Sequence, residues 1–114
     1  MRLNKSAIYT FAALAIAASI SSVQAGSVTL STDRPNGTVH FALNCTFPDG
    51  TTSDTAKFTI HGDNPETYDE DGCRNFNVRF FRIAHQGDVT YSLKAGRSYT
   101  FQWMGTYWDL FADD

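Results

Sequence analysis

The sequence predicts an all-β fold: a small antiparallel β-sandwich of about seven strands with one disulfide. Three observations lead to this prediction. Apolar and polar residues alternate with a period of two along most of the chain after residue 26, Gly-containing turn sequences separate these runs, and two cysteines occur among them. Such alternation is typical of half-buried strands, because successive side chains leave opposite faces of the pleat. A sustained 3.6-residue apolar repeat is missing after residue 26, so we expect no long helix.

The first 25 residues predict a secretory signal peptide. A basic start is followed by a mostly apolar run over 7–20 and by small residues that end at Ala25. This order is typical of a cleaved leader, and the apolar run is too short to span a bilayer comfortably. We therefore expect a signal peptide over 1–25 and a single all-β domain over 26–114. The protein would be secreted to the medium, or to the periplasm if the source is Gram-negative.

Turn chemistry divides the domain into strands. Residues 34–37 and 47–50 are Pro-x-Gly turns, and residues 85–88 and 94–97 are interpreted as tight hairpin connections. The predicted strands are 27–32, 38–47, 55–62, 75–85, 88–94, 98–104 and 107–112. Turns at this spacing favour a sandwich or a small barrel.

The strand 75–85 departs from simple alternation. Its apolar phase shifts between Phe80 and Phe81. A β-bulge at this point, or a strand that passes from one sheet to the other, would account for the shift.

The charge of the domain argues against several partners. Residues 26–114 carry seven Lys and Arg against twelve Asp and Glu, a net charge of about −5. This field repels phosphate backbones and anionic lipids, so we expect no nucleic-acid partner and no membrane partner after signal removal. No cofactor motif is present in the sequence, and we expect a monomer without a cofactor.

Cys45 and Cys73 are the two cysteines of the chain. An even number in a small exported domain predicts a disulfide between them. Closing a loop of about 29 residues contributes roughly 3–4 kcal/mol on the chain-entropy model. Neither cysteine has the Cys-x-x-Cys spacing of a metal site.

The aromatic C-terminal segment is the first candidate site. Tyr99, Phe101 and Trp103 share one strand phase and are expected to face the core. In the run 107–111 both phases are apolar, so one face has no obvious core to enter. An exposed aromatic patch marks a surface that binds sugar rings or a protein partner. The candidate partner-binding residues are Tyr107, Trp108 and Leu110.

The acidic segment 62–72 is the second candidate. Tyr68 is its one large apolar residue, so the segment is expected to be a surface loop. Its oxygen ligands would suit calcium, although the spacing is not that of an EF-hand. The candidate calcium ligands are Asp63, Asp69, Glu70 and Asp71. The alternative is a solvated loop that keeps the domain soluble.

Histidines offer two further alternatives. His40 and His61 occupy the polar phases of their strands and would form a cross-strand site for zinc or copper if they were adjacent. A small secreted ribonuclease would need an acid, a base and an anion clamp. The residues available for it are His40, His85, Arg79 or Arg82, and Glu66 or Glu70.

Asn36 begins an Asn-Gly-Thr sequence within a predicted turn, as expected of an N-glycosylation site. The match has meaning only if the source is a eukaryote.

The size, the all-β pattern and the single disulfide are similar to those of many exported domains, among them microbial enzyme inhibitors, fungal effectors and βγ-crystallin-like proteins. The paired calcium motifs of the last group are not legible in this sequence. We expect a secreted, non-enzymatic binding protein that acts on an extracellular protein or glycan, as an inhibitor, effector or recognition module. The alternatives are a small secreted hydrolase such as a ribonuclease, and a calcium-stabilised structural protein.

Overall fold

The structure, a computed structural model, describes residues 4–5, 26–83 and 87–113. Every regular element within these residues is a β-strand. The strands are β1 Asn4–Lys5, β2 Ser27–Thr32, β3 Thr38–Thr46, β4 Ala56–His61, β5 Glu66–Asp69, β6 Asn75–Ile83, β7 Gly87–Lys94, β8 Arg97–Trp103 and β9 Trp108–Ala112. They form two mostly antiparallel sheets, which confirms the predicted all-β, sandwich-like class.

The five-stranded sheet has the order β1-β5-β2-β8-β9, and the four-stranded sheet has the order β4-β3-β6-β7. All strand pairs are antiparallel except β2 and β8, which are parallel. The chain passes between the sheets after β2, β4, β5 and β7. Both sheets are therefore assembled from segments that are distant in sequence.

Aromatic side chains from the two sheets meet in the core between them. Phe41 and Phe80 come from the four-stranded sheet, and Tyr68 and Phe101 come from the five-stranded sheet. The ring centroids of Phe41 and Phe101 are 5.7 Å apart, and those of Phe80 and Phe101 are 5.1 Å apart. Removing these rings from water is a main source of the domain's stability.

The predicted disulfide is confirmed. Cys45 in β3 bonds to Cys73, which lies in the connection between β5 and β6, with a Cα–Cα distance of 5.8 Å. Both cysteines are buried. Because that connection leads from the five-stranded to the four-stranded sheet, the bond ties the two sheets at one end.

The middle of the acidic segment is a strand, which corrects the prediction of a surface loop over 62–72. Glu66–Asp69 forms β5 and pairs with β2. Tyr68 is fully buried there, with its ring 4.8 Å from that of Phe58. One inward aromatic residue is enough to anchor so short a strand, and its polar neighbours face outward.

The predicted turns over 34–37 and 47–50 are present. Gly37 N donates to Arg34 O (3.1 Å) and Gly50 N donates to Phe47 O (2.8 Å). The turn over 94–97 is also present, with Gly96 at φ +90°. It is not a hairpin, because it joins β7 in one sheet to β8 in the other. Residues 85 and 86 of the remaining predicted turn lie outside the described residues, and β6 and β7 on either side of it pair antiparallel.

The irregularity in β6 is one residue later than the sequence indicates. Phe80 and Phe81 both pair regularly with β7, and the register shifts between Phe81 and Ile83. Phe80 faces the core, whereas Phe81 is 63% exposed. The apparent change of phase at Phe81 arises because a large apolar residue occupies an outward position. Arg82 is the extra residue of the bulge.

The predicted leader over 1–25 lies outside the described residues except for Asn4–Lys5, which pairs with β5. The described strands β2–β9, the buried core and the disulfide all lie within 26–113. The chain from Gly26 onward therefore contains the complete pair of sheets apart from that two-residue strand.

Candidate functional site

The hairpin formed by β8 and β9 ends in two tryptophans. Trp103 and Trp108 are the last paired residues of the two strands, and their ring centroids are 5.3 Å apart in an edge-to-face arrangement. The hairpin closes beyond them, where Met104 N donates to Tyr107 O (2.8 Å). Gly105 adopts φ +100° in this turn, a conformation that favours glycine. Both indoles are only partly buried.

Trp108 lies on the turn that follows β2. A Cβ atom at Gly37 would come within 2.7 Å of Trp108 Cη2, so the indole occupies the space that a side chain at this position would fill. The turn is held by the buried Thr32 hydroxyl, which donates to Gly62 O (2.7 Å). Trp108 also packs against the core cluster. The contacts with Gly37 and with the core cluster therefore fix the orientation of the indole.

Trp103 is anchored through its backbone. Its N–H donates to Asp33 Oδ1 (3.1 Å), and Asp33 N donates in turn to Phe101 O (3.0 Å). Trp103 does not join the buried core, although Tyr99 and Phe101 do. This corrects the prediction that all three face the core. The strand extends past the end of the core, so its last inward position meets Trp108 instead.

The two tryptophans line an open depression of about 260 Å3. Its other walls come from the turn after β2 and the start of β3. The lining residues are Arg34, Asn36, Gly37, Thr38, Trp103 and Trp108. We call this the tryptophan depression. It combines two aromatic rings with a guanidinium, an amide and a hydroxyl that are exposed to solvent.

The predicted partner-binding residues are only partly brought together. Trp108 lines the depression, but Leu110 is 8% exposed and belongs to the core, so it is not available at the surface. Trp108 and Leu110 share the inward phase of β9, and Phe111, 38% exposed, takes the outward phase. Sequence reasoning missed Trp103, Arg34 and Asn36 as a group because Trp103 ends β8, whereas Arg34 and Asn36 lie in the turn after β2, far away in the sequence.

Tyr107 contacts the four-stranded sheet and does not line the tryptophan depression. Arg82 Cζ lies 4.9 Å from the centroid of the Tyr107 ring, a cation–π contact. Arg82 Nη2 also donates to Asp109 Oδ2 (3.2 Å), and Tyr91 OH donates to Asp109 Oδ1 (2.7 Å). That hydrogen bond, followed by burial, raises the pKa of Tyr91. The network joins β6 and β7 of one sheet to β9 of the other.

A second concave surface lies on the outer face of the four-stranded sheet. It is a groove of about 410 Å3 that crosses β4, β3, β6 and β7. Its polar and exposed lining includes His40, Lys57, Thr59, Arg79, Phe81 and Asp88. Arg79 Nε and Asp88 Oδ2 are 3.5 Å apart, both largely exposed. We call this surface the sheet groove.

The candidate calcium ligands do not converge. Asp69 lies in β5, Asp63 and Asp71 are exposed in the turns on either side, and Glu70 is buried. Among the residues that the structure describes, no three His, Cys, Asp or Glu side chains form a group that could hold a metal ion. The calcium prediction has no geometric support from these four carboxylates.

The described histidines are paired with threonines across β3 and β4. A hydrogen bond joins His40 Nδ1 and Thr59 Oγ1 (2.8 Å), and another joins His61 Nδ1 and Thr38 Oγ1 (2.6 Å). Each histidine thus faces a hydroxyl on the neighbouring strand rather than the other histidine.

The residues proposed for a ribonuclease are divided between several places. His40 and Arg79 line the sheet groove, whereas Arg82 is bound to Asp109. Glu66 and Glu70 belong to or follow β5, in the other sheet. His85 lies outside the described residues.

Comparison with family models, with curated proteins and with solved structures finds no match to this chain. The described residues contain no helix long and apolar enough to cross a membrane.

Proposed function

We propose that this protein is a secreted, non-enzymatic binding protein that recognises a glycan through the tryptophan depression. The observation that carries the proposal is the pair of partly exposed indoles beside Arg34 and Asn36. An aromatic ring offers an apolar face for the C–H face of a sugar, and neighbouring polar groups can bond its hydroxyls. The depression contains both kinds of group.

The size of the depression favours a glycan over a protein partner. A stable protein interface takes about 20–30 residues from each partner, whereas six residues line the tryptophan depression. The tryptophan depression, at about 260 Å3, is open and small, with room for one or two sugar rings. The disulfide is consistent with an oxidising compartment, the environment in which secreted proteins form such bonds.

The proposal is tested by glycan binding with three forms of the 26–114 chain: the parent, Trp103→Ala and Phe111→Ala. Phe111 is exposed on the same hairpin but does not line the depression, so it is the matched control. We expect binding to immobilised extracellular glycans that Trp103→Ala weakens at least tenfold and Phe111→Ala leaves unchanged. Binding should also change the intrinsic tryptophan fluorescence.

Two outcomes would contradict the proposal. Equal loss in both variants would place the binding surface elsewhere on the hairpin. Capture of a protein that free sugars do not displace, with no glycan bound, would identify a protein-recognition module instead.

The sheet groove favours a second candidate, a hydrolase such as a ribonuclease. His40, Lys57 and Arg79 line one groove, which supplies an imidazole and two cations, although Arg79 lies 3.5 Å from Asp88 of the same groove. This candidate predicts hydrolysis of single-stranded RNA that is lost in His40→Ala and retained in His61→Ala, its control on the next strand. The net charge of about −5 opposes it, because phosphate backbones would be repelled. Activity that His40→Ala leaves intact would contradict this candidate, because the cleavage would not depend on the histidine of the sheet groove.

A further inference from the structure

The outer face of the four-stranded sheet carries a row of three paired residues of which the middle one is small. Ala42 in β3 pairs with Lys57 in β4 on one side and with Arg79 in β6 on the other. Its neighbours Phe41 and Leu43 belong to the core, so Ala42 takes the outward phase of β3. Paired residues place their Cβ atoms about 4.5–5.5 Å apart. The row therefore holds two long cationic side chains with only a methyl group between them.

Both cations can accept a further partner. Lys57 is exposed and forms no hydrogen bond or ion pair with another described residue. Arg79 approaches Asp88 through Nε (3.5 Å), and no described residue accepts a hydrogen bond from its two terminal Nη groups. A carboxylate suits such a pair, because it accepts two parallel hydrogen bonds from a guanidinium and attracts an ammonium group. One carboxylate above Ala42 would contact both cations.

The row is the centre of a longer concave surface. The sheet groove contains it, and a depression of about 240 Å3 that shares Ala42 and Arg79 extends the surface to Asn44 and Asn77. Asn77 Nδ2 donates to Asn44 Oδ1 (2.9 Å), which holds the two amides in place. On the other side of the row the groove contains Phe81, which is 63% exposed. Fixed amides bind sugar hydroxyls, and an exposed aromatic ring binds the face of a sugar.

The formal charge of the groove is opposite in sign to that of the domain. The groove contains Lys57 and Arg79 against the single carboxylate of Asp88, whereas residues 26–114 carry a net charge of about −5. At physiological salt, exposed charges more than about 8 Å apart are largely screened from each other. A ligand with a few carboxylates therefore interacts mainly with the two cations beside it. A densely charged polyanion would extend over the negative remainder of the surface.

The same surface reaches the tryptophan depression along β3. Thr38 lines that depression, and a hydrogen bond joins its hydroxyl to His61 Nδ1 on the outer face of the sheet (2.6 Å). His40, two residues further on the same face, lines the sheet groove. From Thr38 to Ala42 the strand rises about 13 Å, the length of a short oligosaccharide. The two concave surfaces are thus neighbours along one strand.

We propose that the glycan recognised by this protein is acidic, an oligosaccharide that contains a sugar of the uronic-acid type. Its chain runs from the tryptophan depression along β3 into the sheet groove, and its carboxylate lies above Ala42 between Lys57 and Arg79. This inference rests on the proposed function and adds the chemical class of the ligand. The tryptophans and Phe81 contact sugar faces, the two cations bind the carboxylate, and the paired amides beyond them bind hydroxyls.

Two matched probes test the charge of the ligand. One is a trisaccharide of galacturonic acid, and the other is its methyl ester, which has the same rings without the negative charges. We expect the purified protein to bind the acid about tenfold more tightly than the ester, as measured by isothermal titration calorimetry. Raising the NaCl concentration should reduce this preference, because the contact is exposed to solvent. Equal affinity for the two probes would overturn the proposal.

Two lysines on the same sheet face separate a local contact from the overall charge. Lys57→Gln removes one of the proposed contacts. Lys94→Gln makes the same change of charge at an exposed position at the end of β7, where the side chain lines neither the groove nor the adjoining depression. We expect Lys57→Gln to weaken binding of the acid about five- to tenfold and Lys94→Gln to leave it unchanged. Equal effects of the two variants would mean that only the overall charge matters, which would contradict the proposal.

A further variant occupies the position of the carboxylate without a change of charge. Ala42→Val keeps both cations and adds two methyl groups above the strand, where a β-branched residue suits the backbone. We expect it to weaken binding of the acid by a factor similar to that of Lys57→Gln, while a melting curve shows that the domain remains folded. An unchanged affinity of the folded variant would place the carboxylate elsewhere and overturn the proposal.

Failure of this inference is distinguishable from failure of the proposed function. If neutral glycans bind through Trp103 and the acid has no advantage, the acidic class is refuted and the proposed function stands. If the acid binds through Lys57 and Trp103→Ala has no effect, the path along β3 and the role of the tryptophan depression are both refuted. Displacement of the acid by single-stranded RNA, with cleavage that depends on His40, would overturn both in favour of the hydrolase.

Discussion

At the scale of single residues, the two tryptophans differ in burial from what the sequence predicts: Trp103 lies outside the core, whereas Trp108 packs on it. Trp103 follows Tyr99 and Phe101 in sequence and has the same phase, yet it lies past the end of the core. Trp108 follows a glycine-containing turn, yet it packs on the core and covers Gly37. The position of an aromatic residue along a strand therefore decides its burial as much as its phase does.

This difference predicts the stability of two variants. Trp108→Ala removes a ring that packs on the core and leaves a void over Gly37, so we expect a loss of about 2–4 kcal/mol in the free energy of unfolding. Trp103→Ala should cost less than about 1 kcal/mol, because the ring lies outside the core cluster. Urea unfolding of the 26–114 chain measures both values. A larger loss for Trp103→Ala would mean that its ring is the one that supports the fold.

At the scale of elements, the β6 bulge connects the sheets. The extra residue Arg82 reaches from the four-stranded sheet to Asp109 in β9 and to the Tyr107 ring. Tyr91 in β7 donates to the same carboxylate. Without the bulge, the phase of β6 would point the side chain at this position differently. The irregularity that the sequence indicated near Phe80 thus holds the β8–β9 hairpin against the four-stranded sheet.

The Tyr91–Asp109 hydrogen bond predicts an alkaline loss of stability. Because the bond raises the pKa of Tyr91 in the folded state, its stabilising effect is fully present below the unfolded value of about 10. Above that pH the unfolded chain releases the proton first, so the free energy of unfolding falls as the pH rises. We expect Tyr91→Phe to show a shallower fall between about pH 9.5 and 11.5.

Urea unfolding at a series of pH values checks this expectation. Burial also raises the pKa of Tyr68, and that contribution is common to both proteins. Only the difference between the two slopes therefore reports on Tyr91. Identical slopes would mean that the hydrogen bond to Asp109 does not stabilise the protonated phenol of Tyr91.

At the scale of the whole molecule, the sandwich depends on pairings between distant segments. Four connections pass between the sheets, and β2 pairs in parallel with β8, which is some seventy residues away in the chain. The Cys45–Cys73 bond joins β3 to the connection before β6, so these two segments stay close together in the unfolded chain. A small core therefore gains from the bond both a link between its sheets and a less disordered unfolded state.

Charge also acts on this scale. The net charge of about −5 for residues 26–114 spreads a negative field over the domain, while the sheet groove contains the cations Lys57 and Arg79 and the carboxylate of Asp88. The tryptophan depression contributes one cation, Arg34. A neutral glycan would be neither strongly repelled nor strongly attracted by these charges, so the aromatic contact would dominate its binding.

The sequence by itself determined the features that depend on local physics. Side-chain alternation and turn chemistry located seven strands to within about two residues, because a half-buried strand needs a period of two and a tight turn needs Gly or Pro. The two cysteines of a small domain predicted their own bond. The inward phases of Tyr99 and Phe101 were also predicted correctly, because the core extends along most of β8.

Only the tertiary structure decided which strands are partners and which surfaces remain open. Alternation separates the two faces of a strand but carries no information about its neighbours, so 94–97 resembled a hairpin while joining different sheets. Strand β5 escaped detection because one buried tyrosine anchors it among acidic residues. The tryptophan depression likewise joins segments far apart in sequence, and such proximity arises from packing alone.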